Sequence, residues 1–317
     1  MAASAKVSVI RISGSSIRAA TFRNFAPGAV EWARMNGLDR KDYESYLLTG
    51  EPGSEEISHA LLQMLRQIPK DGILVIGIPG PIEKGKIVAC PALPDLITIL
   101  PEALSENWSG EVILANNTDL FAEAELKQGI FRTIDPKTGI IITLGRGVGS
   151  AIVKNGQVDL DSKVSGGEIG HTLVDPNGPA CECDHRGCFE QYISGPALKR
   201  IAADRGIFVE EPLHLAEIAE AQPIIDEARE LLVDRLSFAT TLLRTRTIVL
   251  AGRLAELYVI QMVQEMLNQH IPHFVRNDQG VKVHASRFMP SEGALLGGGI
   301  VGLRIQGIEP SCLSTIQ

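Results

Sequence analysis

Short apolar runs, most of them β-branched, alternate with amphipathic stretches along this chain. Val7 to Ile12 is the first run, and after a Gly/Ser turn Ile17 to Phe22 resumes it, which predicts a hairpin. Ile57, Leu61, Met64, Leu65 and Ile68 recur at helical spacing. Ile73 to Ile78 reads as a buried strand, closed by the hard turn Pro79-Gly80-Pro81. Val112 to Ala115 predicts another strand, running straight into a helix from Thr118 to Lys127. Ile140 to Leu144, the turn Gly145-Arg146-Gly147-Val148-Gly149, and Ala151 to Val153 then repeat the opening strand–turn–strand unit. Further on, Gly166 to Gly187 predicts loop, Ile224 to Leu243 a long helix, and Thr247 to Leu250 a strand entering a Gly turn and another helix. Gly293 to Gly299 suits a closely packed closing helix. Strands alternating with helices predict an α/β protein, and the echo between the two units suggests a duplicated architecture.

Composition narrows the class. A chain of 317 residues, 44% hydrophobic and 21% charged, has the make-up of a soluble globular protein long enough for two domains. The net charge of −8 argues against a strong nucleic-acid binder. Met1 to Ser8 lacks a secretory pattern, and no run of about 18 apolar residues occurs, so a cytoplasmic protein without a membrane span is expected.

Three of the five cysteines, Cys181, Cys183 and Cys188, lie close together. Without a signal peptide this clustering points to metal or redox chemistry rather than disulfides. With His171 they make a four-ligand N/S set suited to tetrahedral structural zinc. His185 is a rival ligand in place of His171, and a redox pair or chance clustering is the bland alternative.

Gly167-Glu168-Ile169-Gly170-His171 followed by Cys181-Glu182-Cys183-Asp184-His185-Arg186-Gly187-Cys188-Phe189-Glu190 resembles the signature of the ROK family, with Asp184 in place of a Gly. That family comprises bacterial glucokinases, fructokinases, N-acetylhexosamine kinases and sugar-responsive repressors. Gly77-Ile78-Pro79-Gly80-Pro81, Asn116 with Glu125, and Thr143 to Gly149 resemble further family motifs. The resemblance implies an actin-like ATPase (ribonuclease H-like) fold of two duplicated domains around an interdomain cleft. These are expected at 1–115 rejoined by about 292–317, and at 116–291 with the zinc loop.

By the same resemblance Asn116, Glu168, His171 and Glu190 match sugar-contacting positions. One departure stands beside them, Ala92 where relatives carry an Asn before Leu-Pro. The phosphate and nucleotide positions fall on Arg11, Gly14, Ser15, Gly145, Arg146, Gly147 and Gly252. Here the pattern breaks. Arg11 stands where the family's first phosphate loop has an Asp, and a cation opposes Mg²⁺. Asn117 stands where the family has its general-base Asp, and an amide accepts no proton. General-base catalysis contributes roughly 10²–10⁴ in rate. Asp119 is the possible substitute base.

The expectation is therefore a sugar- or sugar-phosphate-binding homologue impaired in catalysis, with structural zinc, and with Mg-ATP only if kinase activity survives. The alternatives are an active ATP-dependent hexose or N-acetylhexosamine kinase and, less favoured, a transcriptional regulator lacking its helix-turn-helix. Direct nucleic-acid binding is not expected, and a homodimer is compatible with the family.

Overall fold

The computed structural model describes residues 6–23, 44–49, 52–70, 72–134, 137–160 and 167–307. In chain order the first elements are β1 (Lys6–Ser13), β2 (Ser16–Arg23), β3 (Glu44–Leu47), α1 (Ser54–Gln67), β4 (Ile73–Ile78), β5 (Ile82–Glu83) and β6 (Lys86–Ile87). They continue with α2 (Leu96–Asn107), β7 (Glu111–Asn116), α3 (Asn117–Lys127), α4 (Ile130–Ile134), β8 (Thr138–Leu144), β9 (Val148–Lys154) and β10 (Gln157–Val158). Then come α5 (Glu190–Ile193), α6 (Gly195–Asp204), α7 (Gln222–Leu243), β11 (Thr247–Ala251), α8 (Leu254–Leu257), α9 (Ile260–His270), α10 (His273–Arg276), β12 (Lys282–Ala285) and α11 (Pro290–Ile305).

The chain forms two compact units. The first is Met1–Thr133 with Val158–Ser165 and Ser291–Gln317; the second is Ile134–Gln157 with Gly166–Pro290. The sequence reading drew the line at 115/116, whereas here 116–133 groups with the first unit. The local reason is α3. It leaves the end of β7 directly and packs against α11: an added Cβ on Gly297 would lie 1.7 Å from the Leu120 carbonyl oxygen, so the two helix backbones nearly touch.

Each unit is built on a five-stranded sheet, and the strand orders correspond: β3-β2-β1-β4-β7 in the first, β10-β9-β8-β11-β12 in the second. In both, an antiparallel hairpin (β1–β2, β8–β9) is followed by two parallel neighbours. The echo between the two sequence units is thus a repeated topology.

In the first unit, alternation sends Ile10 and Ile12 to one face of β1, where they join Leu61, Leu65, Leu96 and Leu100 from α1 and α2. Val7 and Val9 face the other way, onto α11 at Gly302 and Gly298. Arg11 follows on that same face. In the second unit Ile140, Ile142 and Leu144 of β8 pack with Leu232, Val233 and Leu236 of α7 and with Phe189 and Ile193.

Candidate functional site

The second unit carries the His/Cys loop. Ser150 on β9 grips its entry: Ser150 Oγ donates to the Gly167 carbonyl at 2.5 Å and accepts from Ile169 N–H at 3.4 Å. A single 3₁₀ turn, Ile169–His171, then presents His171. The chain doubles back so that Cys181 N–H donates to the His185 carbonyl at 2.9 Å and Gly187 N–H donates to Pro179 at 2.7 Å. Gly187 sits at φ +64°, where a Cβ would lie 1.6 Å from the Asp175 carbonyl oxygen, so the crossing admits only glycine. Asp184, which replaces a family Gly, is at φ +65°. Asp is among the few non-glycine residues that tolerate this region, which explains how the loop keeps its shape.

The result gathers His171, Cys181, Cys183 and Cys188, whose ligand atoms all lie within 4.8 Å of one another. Cys183 Sγ is 3.5 Å from Cys188 Sγ, and Cys181 Sγ is 3.5 Å from His171 Nδ1. A tetrahedron with about 2.3 Å metal–sulfur bonds has edges of roughly 3.8 Å. The four donors therefore fit a metal ion with little movement. Burial pushes the thiols of Cys181 and Cys188 up, a cost that a bound cation would offset. His185, the rival ligand, is exposed and lies outside this group.

Glu190, at the start of α5, lies against the same corner. Its Oε1 is 3.3 Å from Cys181 Sγ and 3.8 Å from His171 Nδ1. Its Oε2 faces the β8–β9 turn, accepting from Val148 N–H at 3.4 Å, and a Cβ on Gly147 would come within 3.0 Å of it. Glu168 stands beside the pair at the surface. Dehydration of its carboxyl pushes it up, His171 pulls it down, and Glu190 adds to the rise. Glu168, His171 and Glu190 are thus brought together. Gly145, Arg146 and Gly147 form the exposed turn next to them. Gly195 N–H donates to the Gly145 carbonyl at 2.8 Å and holds that turn to the start of α6. Gly252, at φ +95°, approaches the Leu144 carbonyl so closely that a Cβ would lie 2.1 Å from it.

The remaining positions belong to the first unit. Asn116 caps α3: its Oδ1 accepts from Thr118 N–H at 2.7 Å, and its Nδ2 donates to the Gly80 carbonyl at 3.0 Å. Asn117 donates from Nδ2 to the Ile12 carbonyl at 2.7 Å, at the end of β1. Its Oδ1 is buried without a hydrogen-bond partner among the described residues, pressed over Gly77, where a Cβ would lie 2.4 Å away. Asp119 is buried in the first turn of α3. The β1–β2 turn is closed by Ser13, whose Oγ donates to the Ser16 carbonyl at 2.9 Å, and Ser15 accepts from Leu48 N–H at 3.0 Å. Gly14 packs on the Ala92 side chain at ordinary contact distance, 3.5 Å.

Sequence reasoning missed Arg18. It lies directly across the ladder from Arg11. The hairpin register, once the Ser13–Ser16 turn is placed, is the signal that would have found it.

The ROK family model matches residues 42–297. The chain belongs to the ROK family. A glucokinase of Thermotoga maritima is 30% identical over 192 residues, 57% of this chain and 60% of that protein. An N-acetylmannosamine kinase of Haemophilus influenzae is 40% identical over 96 residues, 30% and 31% of the two chains. A xylose repressor of Bacillus subtilis is 31% identical over 158 residues, 47% of this chain and 41% of the repressor. The matched segments thus span less than two thirds of these relatives' own length. A ROK family glucokinase from Streptomyces griseus, solved with glucose and AMPPNP, superposes with a TM-score of 0.69 at 19% identity, covering 93% of this chain and 98% of that one. The ROK hexokinase of Thermus thermophilus gives 0.65 at 22% identity, covering 95% and 99%. The fold is the actin-like ATPase fold of ROK proteins. No helix among the described residues is long and apolar enough to cross a membrane.

Proposed function

We propose that this ROK protein binds a sugar or sugar phosphate and is impaired in phosphoryl transfer. The observation that carries the reading is the Asn117 hydrogen bond to the Ile12 carbonyl. At the position where the resemblance puts a general base, this chain has a side chain with no proton-accepting carboxylate, and its donor is committed to the backbone. Arg11, the other altered position, places a cation where magnesium would be recruited.

Support for the sugar comes from the second unit. Glu168, His171 and Glu190 offer two carboxylates and an imidazole side by side, the groups that hydrogen-bond vicinal hydroxyls well. In the first unit Asn116 matches a further sugar-contacting position by resemblance, and one amide hydrogen is left over after its two structural bonds. We take the metal to be zinc, since one imidazole and three thiolates is a donor set it favours. With all four protein donors used, its role is to hold the loop that carries Glu190 and His171. The glucokinase and N-acetylmannosamine kinase relatives support a hexose or N-acetylhexosamine as ligand class.

A second reading, an active ATP-dependent sugar kinase, has one observation in its favour: Asp119 supplies a buried carboxylate on the first turn of α3. A screen of hexoses, N-acetylhexosamines and their 6-phosphates separates the two. Binding by calorimetry without turnover in Mg-ATP is the expected result. Turnover at rates typical of kinases would establish the second reading instead.

A further inference from the structure

Arg11 is a charge without a counter-charge among the described residues. Its Nε is fully covered and has no hydrogen-bond partner, and no hydrogen bond or ion pair joins its guanidinium to any described residue. The charge that acts on it is another cation, Arg18, its neighbour across the β1–β2 ladder. Burial and that neighbour push Arg11 down to about 10, so it is still protonated at neutral pH.

Two like charges directly opposite in a hairpin destabilise it, and a covered Nε–H without a partner adds to the cost. The local fold has nonetheless been built around them. Arg18 is held by a 2.5 Å hydrogen bond from its NH1 to Ser291 Oγ, at the start of α11. The Ser13–Ser16 turn just beyond Arg11 is closed by its own hydroxyls. Alternation puts Arg11 and Arg18 on the same face of the sheet, toward that end of α11. Two guanidiniums on neighbouring strands beside a small-residue turn offer the charge and the forked N–H donors that a tetrahedral oxyanion takes, with Glu292 the carboxylate that acts on Arg18 and none among the described residues acting on Arg11.

We propose that Arg11 and Arg18 form a phosphate subsite that needs no divalent metal, the two guanidiniums replacing the cation that phosphate would otherwise bring. The proposal rests on the altered first turn described above and extends that reading to the ligand's charged end. Phosphate on a sugar and phosphate on a nucleotide share this chemistry.

Inorganic phosphate is the probe, because its binding does not depend on the sugar pocket. The intact metal-loaded chain is titrated with phosphate against chloride at matched ionic strength, with no magnesium added. Phosphate is expected to raise the melting temperature and to bind measurably by calorimetry. Arg11→Met should weaken binding at least tenfold, and Arg11→Lys, which keeps the charge but loses the fork, should weaken it by less. In phosphate-free buffer Arg11→Met should melt no lower than the parent. A hexose 6-phosphate or ADP binding more tightly than phosphate, again without magnesium, supports the subsite and identifies which molecule carries the phosphate. The proposal is overturned if phosphate does not bind, if binding appears only with magnesium, or if Arg11→Met and Arg11→Lys bind like the parent. It is equally overturned if Arg11→Met is the less stable protein without phosphate, because an internal acid such as Asp119 would then hold the arginine. Failure of every sugar to bind would leave these outcomes unchanged.

Discussion

Cys181 Sγ lies 3.3 Å from Oε1 of Glu190, so a candidate metal ligand and a candidate sugar-binding carboxylate share one corner of the second unit. On the proposed reading, loss of the metal would therefore also displace a carboxylate of the sugar site.

Replacing Cys183 with Ser is expected to release the metal and lower stability by about 3 kcal/mol or more, because the free energy of binding a structural metal is folding free energy. Elemental analysis and thermal denaturation check both halves. A variant that keeps one equivalent of zinc contradicts the ligand assignment.

Glu190→Gln should leave the metal bound and cut sugar affinity roughly 10–100-fold, the cost of a lost charge-assisted hydrogen bond. Calorimetry with the best sugar from the screen reads this directly. Unchanged affinity would remove Glu190 from the pocket.

Gly187→Ala tests the loop's backbone. Its Cβ would collide with the Asp175 carbonyl at a positive φ, so a loss of about 2–4 kcal/mol and weakened metal retention are expected. A melting temperature equal to the parent's would show that the crossing is looser than described.

Asn117→Asp is expected to cost about 1–3 kcal/mol, because a carboxylate cannot donate to the Ile12 carbonyl and would leave both oxygens facing it. It should not restore kinase activity while Arg11 is present. Pairing it with Arg11→Asp is the combination that could do so, and a coupled ATPase assay with hexose distinguishes the two.

Cys90 is buried, and burial lifts its thiol from the ordinary 9.0 to about 11. Raised in the folded state, this group contributes stability in full below pH 9 and loses it as pH climbs from 9 to 11. Iodoacetamide at pH 8 should therefore modify it far more slowly in the native than in the urea-unfolded chain, as peptide mass spectrometry can show. Equal rates would mean that Cys90 is accessible.

The β-branched runs were the legible part of the fold. Ile73–Ile78 was read to the residue, and the two hairpins were found because small-residue turns interrupt otherwise continuous apolar strands. β3 and β12 are four residues each at sheet edges, too short for alternation to register, and neither was read. The helix α2 was missed because Pro101 lies inside it. At the site, the His/Cys group could be found because its residue types are rare and close in sequence. Arg18 opposite Arg11 was within reach once the hairpin turn is placed, whereas Ile12 and Gly77 meet Asn117 only through strand order and helix placement.

The Asn117 amide also bears on history. Asn117 ties α3 to β1, so on the proposed reading a single change to Asp would loosen the fold before it restored any chemistry. Arg11 doubles the obstacle, because the base is of no use until the metal can return. On the proposed reading, a route back to phosphoryl transfer passes through poorer intermediates, so such a loss would behave as a ratchet.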